Sequence, residues 1–334
     1  MQSAQTATGT LDFSKMGPTL IHEHIYVGGP GWHFDLKAPK YVRSDLIARC
    51  VDKLQEMQAH GCNTIVDPCP MDLGRDVEFV AEVAQRSGHN IILATGVYTE
   101  ADGIPSTFRT LPTEAILELY VHEITEGVGE TGIKAGVVKI AAGADYANND
   151  YEKRMTAIAA EASRLTGVPI VSHTHDSRFG HEQLDTVLEH GGCANCTIIG
   201  HSGDRDDHDY QRSIAERGAY VGLDRFGLEM VLPDDTRIKN LIQLIESGHR
   251  DQILVSHDHV ICLLGRIGPM MVDMAPNWSL TRIFDYVVPQ LKKLGVSDRD
   301  IEHILIDNPR NLFTNAAAQL TATQSQVAAP VAAG

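Results

Sequence analysis

Thr19-Leu20-Ile21-His22-Glu23-His24 and Pro169-Ile170-Val171-Ser172-His173-Thr174-His175 share one layout, an apolar run that stops in two histidines spaced i, i+2. Side chains two apart on a strand share a face, so each run reads as a strand whose end turns two imidazoles to one side. Six more runs of the same make lie at Asn63 to Pro68, Ile91 to Tyr98, Gly136 to Ala141, Thr197 to His201, Ala219 to Arg225 and Ile253 to Asp258. Their middles are apolar, as strands covered on both faces must be. Stretches with helical apolar spacing separate them: Leu46 to His60, Val77 to Ser87, Glu114 to Gly127, Tyr151 to Thr166, Gly180 to His190, Tyr210 to Gly218 and Arg237 to Gly248. Gly61, Gly88, Gly167, Gly191, Gly218 and Gly248 stand where left-handed helix caps are wanted. Eight strands alternating with helices predict an α/β chain folded as a single (β/α)8 TIM barrel.

Length agrees, since 334 residues leave room for one barrel with long loops and a terminal helix. No linker-like stretch or short repeat divides the chain, and its 43% apolar content supplies a sizeable core. Only the ends look loose. Residues 1–10 are small and polar and read as flexible, residues 11–315 as the barrel domain, and residues 316–334 as a disordered Ala/Thr/Gln/Val/Pro tail. A net charge of −16 without a basic patch argues against nucleic acid as a partner, because such binding needs clustered Lys and Arg. The start lacks the charged and apolar regions of a signal peptide, and no run of about 18 apolar residues could span a bilayer. The expectation is a cytoplasmic protein without a membrane partner. Of the six cysteines, only Cys193-Ala194-Asn195-Cys196 has metal or redox spacing. It stands alone, before the sixth strand, at the barrel face expected to serve stability rather than chemistry.

The strand ends carry the chemistry. His22-Glu23-His24, Lys139, His173, His201 and Asp258 all fall where a barrel collects its ligands, at the C-terminal rim of the strands. His22 and His24 face the barrel mouth together, while Glu23 points the other way. One His-x-His occurs often by chance; five matching stops do not. Lys139 is the odd member, because an ammonium would be repelled by two cations. It is therefore absent from the metal shell, neutral, or converted to an anion.

With these residues in place, the chain resembles the phosphotriesterase branch of the amidohydrolase superfamily, most of all the phosphotriesterase-like lactonases. The matching strings are Thr19 to His24, Ala94-Thr95-Gly96-Val97-Tyr98, Gly132 to Gly136 followed by Lys139, Ile198 to Asp204, Gly222-Leu223-Asp224-Arg225-Phe226-Gly227, Ser256-His257-Asp258 and Asp307-Asn308-Pro309-Arg310. They run in the family's order from about residue 17 to 313. The resemblance implies two divalent ions, zinc foremost with cobalt, iron or manganese as alternatives. His22, His24 and Asp258 would hold the buried ion and His173 and His201 the exposed one. Lys139, carboxylated on its amine, would bridge both together with a hydroxide. It further implies Asp258 as general base, Asp204 as a partner that orients a ligand or relays protons, and a homodimer as the assembly.

Tyr98 and Arg225 match a carbonyl-contacting tyrosine and a pocket arginine of the lactonases, where true phosphotriesterases are expected to carry histidine in place of Arg225. The substrate implied is a small-molecule lactone, including acyl-homoserine lactones, with aryl ester and organophosphate triester hydrolysis as side reactions. Bland alternatives are a rim aromatic for Tyr98, an ion pair with Asp224 or another loop acid for Arg225, and a solvated loop acid for Asp204. The apolar segment Ile261 to Met271 would line an acyl-chain channel or a dimer contact. The chain departs from the family after Lys139, where an acidic-proline turn is missing, after Asp258, where His259-Val260-Ile261-Cys262 replaces an aromatic and paired cysteines, and at Asp67-Pro68-Cys69-Pro70-Met71. Those rim changes keep other substrates in view: an organophosphate triester, a carboxyl ester or a bulky toxin-like lactone. A phosphorylated lactone fits less well because acids surround Arg178, Arg205, Arg225 and Arg266. A silent binding barrel would need neither a bridging anion nor a base.

Overall fold

In the computed structural model, which describes residues 2–328, the eight runs become the staves of one parallel sheet. A hairpin of β1 (Ser3–Thr6) and β2 (Gly9–Asp12) precedes β3 (Thr19–Leu20), β4 (His24–Val27), β5 (Thr64–Asp67), β6 (Asn90–Gly96), β7 (Val137–Ala142), β8 (Ile170–Thr174), β9 (Thr197–Ile199), β10 (Tyr220–Leu223), β11 (Ile253–Val255) and β12 (Val260–Leu263). The helices that bear on the site are α1 (Arg43–Gln58), α2 (Val77–Ser87), α3 (Thr113–Thr125), α4 (Asp150–Thr166), α5 (Gly180–Glu189), α6 (His208–Glu216), α7 (Asp234–Glu246) and α8 (Ile267–Met274). Strand order is β3-β5-β6-β7-β8-β9-β10-β11, with parallel neighbours throughout. The chain folds as the TIM barrel expected. The helix-ending glycines take positive φ, 76° at Gly88 and 73° at Gly167 for example, where an L side chain would be strained.

The first expected strand is broken into β3 and β4, and this break closes the barrel. At the seam, Asp258 N donates to His22 O at 2.9 Å, and β4 then pairs in parallel with β12 (Val260 against His24, Cys262 against Tyr26). Glu23 fastens the same seam. Its buried carboxylate accepts from Ser256 Oγ at 2.7 Å, His257 N at 2.8 Å and His259 N at 3.1 Å, and lies 2.7 Å from His257 Nδ1. Glu23 therefore points away from its flanking histidines, and it replaces the ladder that the short β3 cannot provide.

Side-chain parity sorts the core. Leu20, Ile65, Ile91, Leu93, Ile253 and Val255 face outward onto helical residues such as Leu54 and Val83. Their alternates Ile21, Val66, Ile92, Val137, Val171, Ile198 and Leu254 pack inside the barrel. The open floor beneath them needs a cover, and both chain ends supply it. Residues 3–12, read in part as flexible, pair antiparallel from Ser3 against Asp12. Ala7 N donates to Ile91 O at 2.8 Å, and Ala4, Leu11, Phe13 and Met16 join the inner core. The last helix, α9 (Asn308–Ala328), adds Leu312, Phe313 and Ala317 to it and overrides the expected disorder of residues 316–328. Alanine is a strong helix former whose small side chain carries little periodic signal, which explains the misreading. The rest of the expected tail, residues 329–334, lies outside the described residues. Cys193 and Cys196 are joined as a disulfide at the entry to β9, at the floor end and away from the rim. Among the described residues no helix is long and apolar enough to cross a membrane.

Candidate metal centre

Above the inner core, the same parity continues into polar residues. Val137 is followed two places on by Lys139, Val171 by His173, Ala94 by Gly96 and Tyr98, Tyr220 by Gly222 and Asp224, and Leu254 by Ser256 and Asp258. The strands therefore exchange apolar for metal-capable side chains at one height, and the expected ligands meet. Donor atoms of His22, His24 and Asp258 lie within 4.8 Å of one another. Asp258 Oδ1 is 3.4 Å from His22 Nε2 and 3.2 Å from His24 Nε2, and its Oδ2 is 3.8 Å from His201 Nε2. Lys139 Nζ lies 3.2 Å from His22 Nε2. The rings of His173 and His201 meet at 4.6 Å between centroids. His175, although it repeats the i, i+2 spacing, is left out. β8 ends at Thr174, and the His175 side chain is 51% exposed beside Asp176.

A carboxylate that the sequence did not single out holds this cluster from below. Asp224, with no exposure, accepts from His201 N at 2.8 Å, and its two oxygens lie 3.0 Å from His201 Nδ1 and 2.9 Å from His22 Nδ1. It occupies the ring nitrogens that face away from the cavity, so it fixes tautomer and orientation and turns both Nε2 atoms inward. Glycines make the space: a Cβ on Gly200 or Gly222 would sit 3.1 Å from Asp224 Oδ2, and on Gly200 only 2.1 Å from Ser172 O. Asp67 does the same for His24, 3.2 Å from its Nδ1, while also accepting from Ile25 N at 3.1 Å. The signal for Asp224 was present in its place two residues after Gly222 on an inward row.

Electrostatics favour ligand-ready forms at His22, His173 and Asp258, and the opposite at His24. Burial, reinforced by Lys139, pushes His22 down to about 3, and burial likewise drives His173 well below the usual imidazole range. Burial also works against a charge on His24, but hydrogen bonds with Asp258 and Asp67 outweigh it and raise its pKa. For Asp258 burial opposes ionisation, yet His22, His201 and Arg225 hold its carboxyl well below the ordinary carboxylate value. Burial pushes Lys139 down to about 8, so its neutral amine is accessible close to physiological pH. Two backbone positions are strained to make the site: His201 at φ 56° and Asp258 at φ 50°, in a region that costs a non-glycine residue about 1–3 kcal/mol.

Of the remaining expected residues, Tyr98 and Arg225 line the cavity, and Asp204 lies behind Arg225. Tyr98 Oη is 3.1 Å from His173 Nδ1, and the Tyr98 backbone N is gripped by both oxygens of Asp72 at 3.0 Å. Arg225 Nε donates to Asp258 Oδ2 at 2.8 Å and its Nη1 to Asp204 Oδ2 at 2.5 Å. Its ion pairs are with these acids and not with Asp224. Asp204, three residues after His201, sends its carboxylate to Arg225 and Arg237 rather than to an imidazole. The cavity over the cluster has a volume of about 230 Å³, walled by Val27, Leu73, Leu228, Val260 and Trp278. Of the two alternatives for Ile261 to Met271, lining this cavity is the one the structure does not show, because Val260–Leu263 is spent on pairing with β4 and α8 lies further out.

A barrel that gathers imidazoles, carboxylates and a depressed lysine at the C-terminal rim under a walled cavity defines a class, the metal-dependent hydrolases. Comparison narrows it. The model of the phosphotriesterase family matches residues 2–313. An aryldialkylphosphatase of Saccharolobus solfataricus is 36% identical over 313 residues, 91% of this chain and 97% of that protein. Among solved structures, the organophosphorus hydrolase from Deinococcus radiodurans is 33% identical with a TM-score of 0.88, over 93% of this chain and 97% of its own. A mutant PTE-like lactonase from the same organism has the same identity and TM-score, over 93% and 99%. The chain belongs to the phosphotriesterase family.

The arrangement assigns Asp224 a measurable role. Asp224→Asn keeps the shape but cannot accept from both Nδ1–H groups with a full charge, so metal affinity is expected to fall about ten- to a hundredfold. Competition against a chelator of known affinity measures this, and an unchanged affinity would refute the role.

Proposed function

We propose that the chain is a binuclear-metal hydrolase of lactones, acyl-homoserine lactones among them, with aryl esters and organophosphate triesters as weaker substrates. The observation that carries this reading is the placement of Tyr98 and Arg225 on the cavity wall beside the ligand cluster. His22, His24 and Asp258 would hold one ion and His173 and His201 the other, with Lys139 as a carbamate between them. The donor set fits that assignment: inward Nε2 atoms, a carboxylate between three imidazoles, and a buried lysine that desolvation lowers to about 8, which brings the neutral amine that captures carbon dioxide within reach. Imidazole and carboxylate donors suit zinc, with cobalt, iron and manganese as substitutes. Two such ions, when bound, would supply an activated hydroxide and a Lewis acid for the carbonyl.

The chain's own residues do the rest. Asp258, at the junction of three imidazoles, takes the proton from the attacking group as general base. Arg225, anchored by Asp204, occupies Asp258 Oδ2 and limits where that carboxylate can swing. The Tyr98 hydroxyl, close to His173, donates to the carbonyl oxygen as charge builds on it. Val27, Leu73, Leu228, Val260 and Trp278 offer an apolar wall to an acyl chain and exclude water. Relatives named for aryldialkylphosphatase and organophosphorus hydrolase activity favour the second reading, a triester as main substrate.

The same reading includes a homodimer. Phe34, Leu36, Ile267 and Met270 are 78%, 100%, 53% and 56% exposed, and the Arg266–Asp35 pair at 2.6 Å draws their two segments together. Such a patch suits a second copy. Sedimentation velocity at micromolar concentration should report a dimer; a monomer would remove this assembly.

Lys139→Ala is expected to lose metal and activity together, with formate or acetate restoring part of both. Full activity at unchanged metal content would end the bridging role. Tyr98→Phe removes one hydroxyl and no ligand. Lactone turnover should drop by about ten- to a hundredfold, with the triester rate much less affected. If the wild type prefers triesters by kcat/KM, or Tyr98→Phe leaves lactone hydrolysis intact, the lactone assignment falls while the metal centre stands.

A further inference from the structure

Helix α7 carries a residue its amphipathic pattern does not explain. Arg237 has no exposure and lies beside Ile238 and Leu241 of the apolar core. An arginine is taken fully out of water only at considerable cost unless its partners are fixed. Here they are fixed: Nη2 lies 3.3 Å from Asp204 Oδ1 and Nη1 lies 3.6 Å from Asp234 Oδ1. The Leu228 and Leu232 carbonyls accept as well. Asp204 cannot retreat, since its own backbone N is held by Ser177 Oγ at 3.1 Å. Charges therefore alternate without a break from Asp258 through Arg225, Asp204 and Arg237 to Asp234.

We propose that Arg237 is a positioning residue for the active site: by holding Asp204 Oδ1 from behind, it leaves Oδ2 to Arg225 and so sets where the Arg225 guanidinium stands beside Asp258. Arg225 is 18% exposed at its side chain and extends into the cavity, so without a fixed Asp204 its long side chain has freedom to leave Asp258. Lysine at 237 keeps the charge but cannot reach Asp204 and the two carbonyls at once, because one ammonium does not reproduce a planar fork. The inference rests on Arg225 being a pocket residue, but not on which ester is the preferred substrate.

A double-mutant cycle tests it. Arg237→Lys, purified with its full metal content, should lose about tenfold in kcat/KM on both a lactone and a paraoxon-like triester, mostly in kcat. In an Arg225→Gln background the same change should cost less than about twofold, because the group it positions is gone. A merely structural arginine would instead give equal losses in both backgrounds, tracking the denaturation midpoint. Equal losses overturn the proposal, and so does an Arg237→Lys enzyme within twofold of wild type. Should Arg237→Lys fail to fold, Asp234→Asn carries the test. It removes the ion pair on the far side of Arg237 while keeping the acceptor for Gly227 N, and the same non-additivity with Arg225→Gln is required of it.

Discussion

One carboxylate with no access to solvent sets the geometry of the whole rim. Asp224 touches both His22 and His201, which lie far apart in the sequence. A lone buried charge of this kind is untenable in an apolar core, and it persists only because two imidazoles and a backbone amide surround it. That mutual dependence makes the site cooperative. Neither histidine can rotate without stranding the charge, and the charge cannot be replaced by a larger group because Gly200 and Gly222 leave room for nothing more.

The barrel turns a repeating pattern along the chain into depth. The inward row begins with Ile, Val and Leu at the floor, passes through the small Gly200 and Gly222, and ends in metal-capable side chains. Apolar packing below and charged groups above are therefore one continuous surface, and a shift of one residue in any strand would exchange its ligand for an outward neighbour. Glu23 guards against such a slip at the weakest place, the seam where β3 is only two residues long.

The candidate ligands were legible because each is a rare residue type at a predictable height in a periodic pattern. His22, His24, Lys139, His173, His201 and Asp258 all arrive where strand-end reasoning puts them. Their supports were not legible. Asp224 and Asp67 stand among ordinary strand residues, and acids of that kind are far more often solvated than buried. Arg237 opens a stretch read only for its helical apolar spacing, which carries no sign that a charged member is buried. The terminal segments were misread for a related reason. Small residues give no periodic signal, yet they are what fits against a crowded floor, as Ala4, Ala316 and Ala317 do. Ile261 to Met271 stayed between pocket lining and dimer contact because apolar composition does not reveal which wall of a strand faces the cavity.

The left-handed backbone at His201 and Asp258 has a consequence for how this chain can change. Glycine would relax the backbone at either position, but at His201 it would also withdraw an imidazole from the buried Asp224 carboxylate. The strain therefore cannot be relieved where it is stored. A sturdier variant of this chain has to keep both residues and recover stability at distant positions, on helix surfaces and in loops.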